Sequence, residues 1–300
     1  MSQGTSITLT ELIKLESIAH GLSVTNTLVT NSIQGTGYLS HFRGRGMEFD
    51  QVRQYQIGDD IHTIDWRVTA RMGKLHTKVF QEEHQNTILF LIDDSLSMQF
   101  GTKVAYKSVI AAKIAAILAW IAAKKGDRLG SVIFSEFINE ITPFKSSQPG
   151  LFQLFHALTK PKKLALLKNE NPLNQALQQI LFKNIKTSLI FIISDFYQMN
   201  EETQKMLRCL QQNNELAAIC IYDPLEKTLP TIKGKYSFIS HEGQEFIIDT
   251  ANSTIIKNYQ IQFEEQQNKL FQFFSSLKSP LLKIATNDDL RIVLKAWLKG

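Results

Sequence analysis

Asp93, Ser95 and Ser97 stand at alternate positions directly after a short apolar run, residues 87–92 (TILFLI). Carboxylate and hydroxyl oxygens are hard donors that suit Mg²⁺ or Mn²⁺. Two hydroxyls spaced two residues apart in a loop can face the same way, so Ser95 and Ser97 offer a cation neutral ligands beside one carboxylate. An ion held mainly by neutral oxygens and water keeps most of its charge, and it can accept one more carboxylate from another molecule. A second apolar run, residues 188–193 (SLIFII), ends in Ser194-Asp195 and places another carboxylate at a strand end. The plainer alternative is that Asp93 and Asp195 only tie off strand ends, with the serines as helix N-caps.

Residues 58–66 (GDDIHTIDW) are denser still in ligand types, with Asp59, Asp60, His62 and Asp65. A second metal site is one reading. A tight turn braced by ion pairs to Arg53, Arg67 and Arg71 is the preferred one, and His62 is given no catalytic role. Other chemistry lacks its signature. There is no G-x-x-x-x-G-K-[ST] loop, no G-x-S-x-G elbow and no zinc spacing among the seven His. Gly35-Thr-Gly37 and Gly44-Arg-Gly46 do not complete a dinucleotide fingerprint. A metal-dependent phosphohydrolase with an Asp nucleophile would want Asp-x-Asp, the second carboxylate serving as acid and base. Here that third position is Ser95, and the adjacent Asp94 would point elsewhere on an extended loop, so this stands as the alternative to a binding site.

Both candidate loops need a scaffold that brings strand ends together. The continuous apolar runs at 87–92, 188–193 and 216–222 read as strands buried on both faces. Further strands are expected at 129–134, 137–141 and 281–285, and a hairpin within 236–248. Helices are expected over 8–19, 102–125, 171–183, 201–213, 250–277 and 288–299. Such alternation implies a doubly wound, mostly parallel α/β sheet, whose ligands bind beyond the carboxyl ends of the strands. That end lies just after Ile92 and Ile193. Residues 1–80, rich in turn formers and charge, read as a small irregular N-terminal module before an α/β domain at 81–300. Tyr55 and Trp66 are its candidate apolar anchors.

With 43% hydrophobic and 20% charged residues, the 300-residue chain has ordinary globular composition. The net charge of +5 is uneven: residues 101–190 hold 13 Lys/Arg against 4 Asp/Glu, while the first hundred hold 8 against 11. The lysines are scattered over helices, so a solvated surface is preferred to a nucleic-acid site. Cys209 and Cys220 read as buried free thiols, which fits a reducing compartment. No basic start with an apolar stretch marks a secretory leader, and the most apolar region, 109–123, is too short to span a membrane. A cytoplasmic protein without a membrane span is expected.

The segment RGRGMEFDQVRQYQIGDDIHTIDWRVTAR, followed by KLHTKVFQEE, ILFLIDDSLSMQFG, DRLGSVIFSEF and LIFIISDF, resembles the family known as domain of unknown function fifty-eight (DUF58) over residues 43–223. The resemblance implies a bacterial protein with a von Willebrand factor A-like, Rossmann-like fold. It also implies a metal-ion-dependent adhesion site (MIDAS), matched by Asp93, Ser95, Ser97 and the later Asp195. The family's usual Thr falls at Asn171, whose carbonyl oxygen is the substitute ligand. The implied cofactor is Mg²⁺ or Mn²⁺. The implied role is non-enzymatic, a protein-binding adaptor that works with a MoxR-type AAA+ ATPase or a protein client.

Overall fold

The computed structural model describes residues 4–22, 47–56, 59–82, 86–136, 139–160, 171–230, 232–239 and 245–299. The chain divides into two compact units: Met1–Thr36 together with Asn86–Gly300, and Gly37–Gln85. This differs from a boundary at residue 80, because the first helices belong to the larger unit. The expected helix over 8–19 is two short ones, α1 (Leu9–Lys14) and α2 (Glu16–His20), parted at Leu15. A capping box between Thr8 and Glu11 starts α1. Leu12 is fully buried, and its carbonyl accepts the Trp120 indole N–H at 3.1 Å.

The smaller unit is more regular than its composition foretells. Strand β1 (Met47–Gln54) pairs antiparallel with β2 (His76–Glu82), and α3 (Trp66–Met72) lies between them in sequence. Asp65 caps α3 by accepting the Arg67 and Val68 amides, and Gly73, at φ 68°, ends it in the left-handed region. Trp66 stands 65% exposed at the start of that helix, so it is no buried anchor. Tyr55 is half-buried, its hydroxyl donating to the Asp59 carbonyl.

In the larger unit the expected doubly wound sheet is present. Its strands are β3 (Thr87–Asp93), β4 (Arg128–Phe134), β5 (Asn139–Ser146), β6 (Ser188–Ser194), β7 (Glu215–Tyr222) and β10 (Leu281–Ala285). They run in the order β10-β7-β6-β3-β4-β5, all parallel except the edge strand β5. The helices are α4 (Lys107–Lys124), α5 (Ser147–Thr159), α6 (Pro172–Phe182), α7 (Glu201–Gln211), α8 (Pro224–Lys227), α9 (Ser253–Ser276) and α10 (Leu290–Lys299). An antiparallel hairpin of β8 (Lys235–Ile239) and β9 (Glu245–Asp249) fills the expected place.

Alternation along β3 shows how the layers form. Ile88, Phe90 and Ile92 enter one core with α4, α5 and α10, whereas Leu89 and Leu91 enter the other with α6, α7 and α9. Helix α4 is apolar nearly all round because it is covered on nearly every side. Each fully buried Ile or Leu contributes roughly 1.5–3 kcal/mol through burial. Cys220 is a buried free thiol, but Cys209 is exposed, since α7 is amphipathic and turns that residue outward. Among the described residues no helix is long and apolar enough to cross a membrane.

Candidate metal site

Strands β3 and β6 are paired through Ile92 and Ile193, so Asp93 and Ser194 leave the sheet side by side. Each then makes a turn with its own side chain. Asp93 Oδ1 accepts the Ser95 amide at 2.9 Å, and Ser194 Oγ accepts the Phe196 amide at 2.9 Å. Ser194 Oγ also donates to Asp93 Oδ2 at 2.5 Å, tying the two strand ends together. Beyond Ser95 a 3₁₀ turn, Leu96–Met98, drops Met98 into the core and brings Ser97 back, so that the two serine hydroxyls lie 3.1 Å apart. The Leu96 amide is held by both carboxylate oxygens of buried Glu136, at 3.0 and 2.9 Å. Phe196 adopts a left-handed φ of 55°, rare for an aromatic. Its buried ring stacks edge-on against Phe274 at 5.3 Å, which holds the turn.

These turns enclose a small cleft. Its polar wall is Asp93, Ser95, Ser97, Ser194, Asp195 and Gln198, and its apolar wall is Phe134, Pro172 and Leu173. Four of the five expected ligands therefore meet. The fifth, Asn171, is not among the lining residues. It is the N-cap of α6: its Oδ1 accepts the Asn174 amide at 3.0 Å and its Nδ2 donates to the Gln198 carbonyl at 2.9 Å. A side chain that must cap a helix is drawn to the backbone rather than to the cleft. Asp94 is absent from the cleft as well, and its Oδ1 accepts Gln99 Nε2 at 3.1 Å.

The electrostatics are those of a site short of positive charge. Asp93 is 5% exposed. Burial, and then the Asp195 carboxylate, push its pKa up to about 7, against the pull of hydrogen bonds from Ser194 and Ser95. The Gln198 Oε1 is buried without a hydrogen-bond partner, on a residue that lines the cleft. A carboxylate stripped of water and two hydroxyls offer an all-oxygen donor set on the cleft, which fits Mg²⁺ or Mn²⁺.

Sequence reasoning passed over Lys107. It sits at the first position of α4, 1% exposed, and donates to Asp195 Oδ2 and to Glu226 Oε1, each at 2.7 Å. Burial alone would lower its pKa, yet the two carboxylates hold it above the ordinary lysine value. Ser194, Glu136 and Gln198 were also missed. A hydroxyl just before Asp195 was the one available signal among them.

In the smaller unit the acidic stretch is spent locally. Asp59 accepts the Gln56 amide at 2.9 Å and Arg53 at 2.6 Å, which together hold its carboxyl below the ordinary value. Asp65 caps α3. The braced turn is thus seen with Arg53. The side chain of His62 lies outside the described residues.

The family described as "Protein of unknown function DUF58" matches residues 51–269. The uncharacterized protein Rv1480 of Mycobacterium tuberculosis is 26% identical over 241 residues, covering 79% of this chain and 75% of that protein. The conserved hypothetical protein BatB from Bacteroides thetaiotaomicron is similar at 12% identity, over 71% of this chain and 96% of that one, with a TM-score of 0.44. The SpRpn10 VWA domain is similar at 11% identity, over 70% of this chain and 94% of that one, with a TM-score of 0.40.

Proposed function

This chain belongs to the DUF58 family, and from that premise we propose that it is a non-enzymatic, metal-dependent protein-binding adaptor. Asp93, Ser95 and Ser97 would hold Mg²⁺ or Mn²⁺, with Asp195 behind them in the same cleft. The observation that carries this reading is that Asp93, Ser95, Ser97 and Asp195 line one small cleft together with Gln198, whose Oε1 is buried without a partner. A bound ion would supply a positive charge to which a carboxylate of another protein can add. Asn171 acts at one remove, through its grip on the Gln198 carbonyl and the start of α6. The family resemblance points to a MoxR-type AAA+ ATPase, or its client, as the partner. Hydrolysis by an Asp nucleophile gains no support, because Asp94 is bound to Gln99 and Ser95 stands where the acid and base would be.

Calorimetry with Mn²⁺ is expected to show one site. A purified MoxR-type ATPase should be retained on the immobilised chain in Mg²⁺ and released by EDTA. Equal retention in both buffers places the partner surface elsewhere on the molecule.

A further inference from the structure

Lys107 is an unusual residue to find where it is. An ammonium at the first position of a helix meets the positive end of the helix dipole. At 1% exposure it has also lost its water. It remains because two loops deliver carboxylates to it, Asp195 from the end of β6 and Glu226 from α8. Both partners are fixed by further bonds. Asp195 Oδ1 accepts the Tyr197 amide at 3.0 Å, and Glu226 Oε2 accepts the Asp223 amide at 2.7 Å. The ammonium therefore occupies a built socket that opens against the cleft through Asp195.

We infer that Lys107 is a resident counter-cation that takes up the charge of Asp195 and leaves a bound metal with Asp93 as its one uncompensated carboxylate. This rests on the metal reading above. Any ion entering the cleft competes for Asp195 with an ammonium already paired there and shielded from water. The ion's own charge stays largely unspent for an outside carboxylate. Lys107 thus trades metal affinity for affinity toward an acidic partner, acting as a positioning residue through Asp195.

The test is a double-mutant cycle read by Mn²⁺ calorimetry on the full chain. Lys107→Met should bind Mn²⁺ at least about tenfold more tightly than the wild type, because Asp195 is released. Asp195→Asn alone should change the affinity less than about threefold, and the double variant should return close to the wild type. If Lys107→Met does not fold, Lys107→Met with Glu226→Gln, compared against Glu226→Gln, carries the same comparison with one fewer stranded charge. Equal affinity in wild type and Lys107→Met, with a tenfold loss in Asp195→Asn, overturns the inference alone and makes Asp195 an ordinary ligand. No Mn²⁺ bound by any variant brings down the metal reading itself, and the inference with it.

Discussion

Asp59, Asp60 and Asp65 lie within seven consecutive residues, while Asp93 and Asp195 are 102 positions apart. The structure reverses that ranking. Asp59 spends its carboxylate on its own turn and on Arg53, and Asp65 on a helix cap. The distant pair meets at adjacent strand ends, in a cleft also lined by Ser95, Ser97 and Gln198. Ligand types crowded in sequence satisfy one another through local backbone bonds. Ligands delivered by parallel strands arrive with that local option largely closed, and what remains open can be turned toward an ion.

The sharpest way to break this contrast is to change one acid in each region. Asp93→Asn should abolish Mn²⁺ binding, a loss of at least about a hundredfold, while leaving the chain folded. Asp59→Asn should leave Mn²⁺ binding unchanged and lower thermal stability slightly. Calorimetry and melting curves on both variants decide it. Metal binding that survives Asp93→Asn but fails in Asp59→Asn reverses the assignment.

Removing both hydroxyls is the next largest effect. Ser95→Ala with Ser97→Ala should weaken Mn²⁺ binding by about tenfold, or roughly 1.4 kcal/mol. The fold should change little, since the two hydroxyls bond each other and leave together, and Asp93 keeps its bonds from the Ser194 hydroxyl and the Ser95 amide. A large drop in melting temperature with unchanged metal affinity would make the serines structural only.

The pH dependence sharpens the comparison further. Asp93 has a folded pKa of about 7 against an ordinary 3.8, so the folded chain binds the proton more tightly than the unfolded one. The stabilisation from the protonated carboxyl is complete below pH 3.8 and is lost as the pH rises to about 7. The metal-free wild type should therefore lose stability relative to Asp93→Asn across that window. Mn²⁺ must displace the proton, so its affinity should climb through pH 7 and level off above it. A flat affinity from pH 6 to 8 would show that the Asp93 proton does not oppose the metal. Asp59 works in the opposite sense, since its lowered pKa gives stability that is lost on acidification.

The sheet was legible because buried parallel strands are short continuous apolar runs, and 281–285 matches β10 residue for residue. Helix α5 was not, since Pro149 and Gly150, residue types that interrupt a helical pattern, stand in its first turn. The β1–β2 ladder escaped because its strands are separated by α3 and lack a short turn to announce a hairpin. The proposed ligands in the cleft could be read from Asp93-x-Ser95-x-Ser97, whose alternation is local. Lys107 could not. In sequence it is one of 13 basic residues between 101 and 190, and only the topology reveals that carboxylates 88 and 119 positions later, Asp195 after β6 and Glu226 in α8, close over it.

Asn171 supplies the smallest expected effect and a direct check on where the cleft ends. Its side chain caps α6 and steadies the turn after β6, yet it does not line the cleft. Loss of an N-cap costs about 1 kcal/mol. In a domain of this size that corresponds to a melting shift of roughly 2–4 °C. Asn171→Ala should show that shift with Mn²⁺ affinity changed by less than about threefold, because the Asp93, Ser95 and Ser97 oxygens stay in place. Asn171→Asp, which keeps the capping oxygen, should recover most of the stability. If Asn171→Ala instead loses Mn²⁺ affinity tenfold with an unchanged melting temperature, Asn171 is a ligand and the cleft extends to the start of α6. The expected result leaves it as the peg that holds Gln198 and the turn after β6 in position.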